Sequence, residues 1–476
     1  MSGFCLAMVG RSAYDSDPQC TSSHHPEKHQ AKIMLTISTT NHIVDIVNQI
    51  IMRLFVRTRH ACKELPLAES SPSRERGLLW LLALTQFTII MDFMVMMPLG
   101  PQIMHAFAIS PAAFATAVSA YSWCSGLSGL FAATYIDRFD RRRLLLVIYG
   151  LFAVSNLVCA MAGNFHMLLV ARAFAGLSGG VLGSIIMAIV SDIIPVSRRG
   201  AATGTIMTAF SLAAIAGVPA GIVLGAHLGW SSPFYLLAVL SVLIWLAALA
   251  LVPSLRQFLP STPPSLRQVL PDLWHLLSNP QHLRAFGLTF VILVSNMMIV
   301  PFVSPVLVAN HGIAPEQIAW IYMAGGAATF FTSRRIGKLA DRYGKHRLFR
   351  IFALLYIVPV LFLTHLPAIP LIAIVIVFSV FMVVSSGRMI PMQALLTTVP
   401  PAGHRGAFLS ANSAIQSFGN GCGAWLGGML LSHGAGGQIL GYGLNGWCSV
   451  ALVGVALWWV GRVQGQVTPE LAKAHS

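Results

Sequence analysis

Asp92 is one of fifteen acidic residues among 476, and it lies deep inside an apolar run. Thr85, Thr88 and Asp92 are spaced by three and four, which places them on one helix face. A polar stripe on an otherwise apolar helix is expected to look into a cavity rather than at hydrocarbon. An ionised carboxylate in hydrocarbon costs about 3 kcal/mol on insertion scales, so a carboxylate there suits loading and releasing a proton. The alternative is a carboxylate locked to a basic partner. Arg172 is the best candidate partner. It heads the run Arg172-Ala-Phe-Ala-Gly176-Leu-Ser-Gly179-Gly180, in which glycines four apart let helices approach closely. Arg388, just before Met389-Ile390-Pro391, is the other arginine inside an apolar run. A guanidinium stays charged at any accessible pH, so either arginine can bias a neighbour's proton affinity or attract an anionic group. Each can instead snorkel to the surface.

These residues need a frame that holds them in a bilayer. The chain is 56% hydrophobic and only 9% charged, with a mean hydropathy of +0.73. A soluble protein carries about 25% charged residues, so this chain cannot cover a water-facing surface. Windows of about 20 apolar residues give twelve spans, starting near positions 78, 113, 144, 166, 201, 232, 284, 317, 348, 370, 406 and 439. Basic residues fall before the first span and after the even-numbered ones, for example Arg138 and Arg141–Arg143 after the second and Arg334 to Arg350 around the loop after the eighth. The odd-numbered loops hold none. By the positive-inside rule both termini are cytoplasmic, so the net charge of +15 reads as topogenic and argues against a nucleic-acid partner.

The chain is also built twice. Leu84 to Leu144 lies over Leu288 to Leu348 without a gap, with twelve of 61 positions identical. Pro101 matches Pro305, Pro111 matches Pro315, and Asp137-Arg138 matches Asp341-Arg342. Thr85 falls on Thr289 and Asp92 on Asn296. A second echo, at an offset of 206, sets Arg199-Gly200-Ala201 on Arg405-Gly406-Ala407. A doubled membrane unit points to a secondary transporter. The expected division is an N-terminal cytoplasmic extension over 1–77, six-helix bundles over 78–252 and 284–461, a proline-rich linker over 253–283 and a tail over 462–476. Residues 1–77 read as disordered, with an amphipathic face from Ile43 to Phe55 as the alternative. Asp137, Arg138, Arg141, Asp341, Arg342 and Lys345 occupy tight loops on the basic side, where contacts made and broken between halves would form a gate; a solvated topogenic cluster is the bland alternative. Gly217, Pro219 and Gly221 fall inside the fifth span, where proline kinks a helix and glycine permits close contact. The seven cysteines show no metal or redox spacing and suit apolar packing. Met91, Met94, Met97, Met297 and Met298 offer adaptable contacts to apolar ligands, or ordinary packing.

The loop Gly337-Lys-Leu-Ala-Asp341-Arg342-Tyr-Gly344-Lys345-His-Arg347 resembles the cytoplasmic motif of the major facilitator superfamily. In the first-half copy Ala133 and Asp140 stand where that motif has glycine. Arg172 with Gly176 and Gly180 resembles the family's fourth-helix motif, whose arginine is implicated in proton coupling. Gly217-Val-Pro219-Ala-Gly221, followed by Leu228-Gly229-Trp230 and Phe234, resembles the fifth-helix motif of antiporters. More narrowly, the chain looks like the twelve-helix drug/proton antiporter group that includes arabinose-efflux-type permeases, and Gly387-Arg388-Met-Ile-Pro391 fits the tenth helix of that group. The resemblance implies an all-α membrane protein, with twelve transmembrane helices forming two pseudo-symmetric six-helix bundles around a cavity lined mainly by the first and fourth helices of each half. It further implies a monomer in the cell membrane that exports a small organic solute against protons, with no enzymatic activity and no cofactor beyond the ion gradient. Asp92, Arg172, Asn296, Arg388, Thr85 and Thr88 would form the coupling centre and cavity. Proton-coupled uptake is the nearest rival, and a non-transporting receptor or scaffold is a distant one.

Overall fold

The computed structural model describes residues 72–136, 139–195, 198–253, 276–400, 405–434 and 436–463. The expectations for the N-terminal extension, for most of the linker, and for Asp137 and Arg138 lie outside these residues. The first half comprises α1 (Pro72–Val95), α2 (Gly100–Phe107), α3 (Pro111–Tyr135), α4 (Arg141–Ala160) and α5 (Phe165–Ile193), then α6 (Arg199–Leu212), α7 (Val218–Leu228) and α8 (Ser232–Leu251). The second half comprises α9 (Pro280–Met297), α10 (Val303–His311), α11 (Pro315–Tyr343), α12 (Lys345–Thr364), α13 (Leu371–Leu396), α14 (Arg405–Met429) and α15 (Tyr442–Val460). Taking α1–α2, α6–α7 and α9–α10 as single broken spans gives twelve in the expected order. Among the described residues, nine are long and apolar enough to cross a bilayer, and the pair α2–α3, bent by 116°, adds a tenth. The remaining two are α11, whose charged residues from Arg334 to Arg342 are exposed at the basic face, and α14, whose Asn412 accepts from Thr289 on α9 at 2.9 Å.

The repeat's punctuation is structural. Pro111 and Pro315 each open the second span of their half, where a missing N–H costs nothing. Ser110 caps α3 by accepting from the Ala113 N–H. The first span of each half breaks at a second proline. α1 stops at Val95 before Pro98, and α9 stops at Met297 before a short 3-10 turn containing Pro301. Interior proline removes a helix hydrogen bond, so both spans fracture at the same depth.

Within the first half α3 and α4 pack on α5, and α1 packs on α6 and α8; within the second, α9 packs on α14 and α15, and α13 joins α11 to α12. The halves meet at the face opposite the basic loops. There α3 lies along α14, and α11 packs on α7 and on the π-helical turn Ala213–Gly217 before it, whereas α6 packs on α1. Ser119 donates to the Gly421 carbonyl at 2.8 Å, and Ser304 to that of Pro98 at 2.9 Å. At the basic face the ion pairs Arg141–Asp192 and Arg198–Glu75, and the bond from Lys345 to the Ala394 carbonyl, each join elements of one half. The seam therefore closes from the opposite face inward. A two-stranded hairpin, β1 (Ser432–His433) with β2 (Ile439–Leu440), covers that face, and the Asn310 side-chain amide brackets the Ile439 backbone.

Candidate functional site

The first and fourth spans of the first half meet at an ion pair. Arg172 Nη1 lies 2.6 Å from Asp92 Oδ1, and both residues are completely buried. The same nitrogen lies 3.4 Å from the Asp92 carbonyl oxygen. The guanidinium sits over the Tyr121 ring at 4.4 Å and within 6.0 Å of Phe234, with the Cys159 thiol beside it. Among the described residues, Asp92 Oδ2 and Arg172 Nε have no hydrogen-bond partner. The pair is held by backbone proximity. A side chain at Gly176 or Gly180 would run into the Tyr121 or Ser125 carbonyl oxygen, so these glycines let α5 close on α3. That contact brings Arg172 over Tyr121.

Thr85 and Thr88 do share the Asp92 face, but this face looks into the bundle and not into an open cavity. The Thr88 hydroxyl lies 2.9 Å from that of Tyr149 on α4, and Thr85 donates to its own helix at Leu81. A polar stripe is satisfied as well by polar groups on a neighbouring helix as by water. Arg172 does not snorkel; its head is turned onto Asp92.

The second half repeats the layout without the acid. Arg388, on the fourth span of that half and 1% exposed, donates to Asn296 Oδ1 at 3.2 Å and to Ser295 Oγ at 3.4 Å. Its guanidinium lies 3.5 Å from the Tyr356 ring centre. Ser385 also donates to Asn296 Oδ1, at 2.7 Å. Arg388 therefore does not reach for the surface either. In both halves a fourth-span arginine meets a first-span polar residue and rests on a tyrosine; Asp92 and Asn296 share one repeat register, whereas the arginines and the tyrosines stand at different positions of their halves.

In the fifth span, the π turn ends at Gly217, just before Pro219. Gly217 faces Phe87 and Met91, and Gly221 faces Val95, so this motif packs the fifth span on the first. A Cβ built at Gly326 would lie 2.8 Å from the Ala214 carbonyl oxygen, so α11 seats directly on the π turn. Of the proposed gate residues, Arg141 pairs with Asp192 at 3.1 Å and donates to the Ile136 carbonyl. Asp341 and Arg342 are exposed, with Arg342 over the Tyr343 ring. Asp140 caps α4 by accepting from the Arg142 N–H, while Gly344 turns the equivalent loop at a φ of 88°. The mismatch between the repeats at this point is a change of turn chemistry. Met91, Met97, Met297 and Met298 are buried in the core, and only Met94 is half-exposed; four of the five are packing residues.

A family model, the Major Facilitator Superfamily, matches residues 82–295 and 285–474. The chain belongs to the Major Facilitator Superfamily. It is a multi-pass membrane transporter and not an enzyme. Among curated relatives, this superfamily member is 26% identical over 361 residues to an uncharacterised MFS-type transporter, YfhI, of Bacillus subtilis, a match covering 75% of this chain and 87% of that one. It is also 26% identical over 243 residues to a "Probable sugar efflux transporter" of Helicobacter acinonychis, covering 51% of this chain and 60% of the relative. The chain thus spans less than two thirds of that relative's length. Among solved structures, an inward-facing, unoccupied bacterial homologue of the human lysosomal transporter Spinster aligns with a TM-score of 0.68 at 16% identity, covering 83% and 98% of the two chains. A D-xylose–proton symporter aligns at 0.67 and 16%, covering 83% and 99%. At such identities these neighbours speak for the fold alone.

Sequence reasoning missed the tyrosines. Tyr121, Tyr149 and Tyr356 each serve the polar centres, and each lies in a span that also reads well as plain apolar packing. The available signal was chemical: a buried guanidinium or hydroxyl demands a partner, and few polar groups exist in these spans to supply one.

Proposed function

We propose that this transporter exports a small organic solute across the cell membrane in exchange for protons, by alternating access, as a monomer driven by the ion gradient alone. Both termini lie in the cytoplasm, which makes the basic face cytoplasmic and the described arrangement inward-facing. The observation that carries this reading is the buried Asp92–Arg172 pair just inside the closed seam. Asp92 Oδ1 holds the arginine while Oδ2 has no partner, so a proton can add at Oδ2 without first displacing a hydrogen bond. Neutralising the carboxylate removes the opposite charge from beside Arg172 and leaves a charged donor facing a neutral acceptor. Arg172 then loosens from the first span, and the packing of that span on α6, α7 and α8 can change. The described loop residues Arg141, Asp341, Arg342 and Lys345 would re-pair across the basic face when the halves rock. A relative carrying the name of a sugar efflux transporter supports the outward direction.

Transport in inverted vesicles with an imposed pH gradient tests this. A panel of sugars and drug-like compounds should include one whose uptake releases protons. Asp92→Asn should abolish gradient-driven accumulation while leaving solute counterflow. Proton movement that persists in Asp92→Asn defeats the coupling role.

A further inference from the structure

Among the described residues, the second half contains a buried cation without an anion. The partners of Arg388 are Asn296, Ser295 and the Tyr356 ring, all neutral. Its Nε and the Tyr356 hydroxyl, both buried, have no hydrogen-bond partner among the described residues. The described carboxylates are all accounted for elsewhere. Asp92, Asp192 and Glu75 pair with other arginines; Asp140 caps α4, Glu316 opens α11, and Asp341 is exposed at the basic face. A guanidinium has five N–H donors and cannot shed its charge, so burying it among neutral groups is costly unless an anion joins it.

The first half shows what the balanced version looks like. In the repeat register Asp92 occupies the place of Asn296, and there the arginine is neutralised from within the chain. The second half also sets a fourth-span arginine on a tyrosine, at positions the repeat does not share with Arg172 and Tyr121, but supplies an amide where the acid would be. Asn296 is half-exposed while Arg388 behind it is not, and the Ser304–Pro98 closure lies about two helical turns further along the same span. The cluster therefore sits at the inner end of the closed seam, with Asn296 as its outward member.

We propose that Arg388 is an anion-binding group: a small monoanion, either the carboxylate of a transported organic solute or a halide, takes the unpartnered Nε edge, with the Tyr356 hydroxyl as a second donor. A carboxylate matches the edge of a guanidinium with two parallel hydrogen bonds, which makes organic acids the substrate class this half is built to hold. The access route rests on the alternating access proposed above; the anion affinity does not.

The test uses the purified full chain and reads its thermal unfolding with sodium benzoate, sodium chloride or benzamide, the last a neutral analogue of benzoate. The unfolding temperature should rise saturably with benzoate, or with both benzoate and chloride, and not with benzamide. Asn296→Asp, which gives Arg388 an internal carboxylate as Asp92 does for Arg172, should abolish the anion response and be at least as stable as the natural chain without anion. Arg388→Gln should abolish the response too, and Asp92→Asn should keep it, which separates anion binding from proton coupling. A response to benzoate alone assigns the site to the carboxylate of a solute, and a response to both assigns it to small monoanions. No saturable anion effect, an equal effect of benzamide, or an undiminished response in Asn296→Asp overturns the proposal.

Discussion

Replacing Asp92 with asparagine removes one charge from a pair that water does not reach. Arg172 loses the opposite charge at 2.6 Å and keeps a 3.4 Å contact to the carbonyl of residue 92 and the Tyr121 ring at 4.4 Å. The ring contact is worth about 0.5–2 kcal/mol, too little to replace an ion partner. Breaking a buried pair on one side costs about 3–5 kcal/mol, and Arg172 cannot escape by losing its proton. Asp92→Asn should therefore cost about 3 kcal/mol, the lower end, because the amide oxygen still accepts, as Asn296 does for Arg388. Arg172→Met should cost less, since the stranded carboxylate can bind a proton. The double variant, with both charges gone and the volume kept, should fall within about 1 kcal/mol of the natural chain, because replacing both members of a buried pair is often neutral. Equilibrium unfolding in mixed micelles across the four proteins gives the coupling directly. Strictly additive costs, or an Asp92→Asn cost below about 1 kcal/mol, would refute the account of the pair as a tightly coupled unit.

Gly176→Val should prevent α5 from closing on α3, because the added carbons meet the Tyr121 carbonyl; loss of monodisperse protein on size exclusion reads the effect. The turn glycine Gly344, at φ 88°, should resist substitution, with Gly344→Ala costing about 1–3 kcal/mol, while Asp140→Ala in the equivalent loop costs about 1 kcal/mol for a lost cap; both are measurable by denaturation. A Cβ at Gly126 would lie 3.2 Å from that of Ser417, near the roughly 3.5 Å lower edge for a disulfide. Gly126→Cys with Ser417→Cys, in a chain otherwise freed of cysteine, should cross-link α3 to α14 and stop transport until reduced. Transport that continues through the cross-link would show that this seam does not open.

The doubled architecture was legible because its markers are local. Proline, glycine and clustered arginine act on the chain within a few residues, so their spacing reports helix ends and loop sides directly. The Asp92–Arg172 pair was legible for a different reason: a lone acid in hydrocarbon has only two intramembrane arginines to choose between, and Arg172 shares its half of the repeat. Direction was harder. The period of Thr85, Thr88 and Asp92 gives a face, but which neighbour the face meets depends on helix rotation set by distant glycines such as Gly176. Tyr121 and Tyr356 were hidden for the same reason, since an aromatic ring serves equally as packing and as a seat for a cation. Nor does Asn296 announce its place beside Arg388, because the two are 92 residues apart.

The seam between the halves has a further consequence. Ser119 and Ser304 reach across it to backbone carbonyls rather than to side chains. A carbonyl oxygen has two lone pairs, and the one at Gly421 lies inside a helix, where the helix already uses the other. When the halves part, that oxygen is not stranded. A serine on a helix can turn its hydroxyl back to its own preceding turn, as Ser122 does to Val118 and Ser178 to Phe174. For Ser119 the contact is thus exchanged instead of lost, so this hydrogen bond adds little resistance to the parting of the halves.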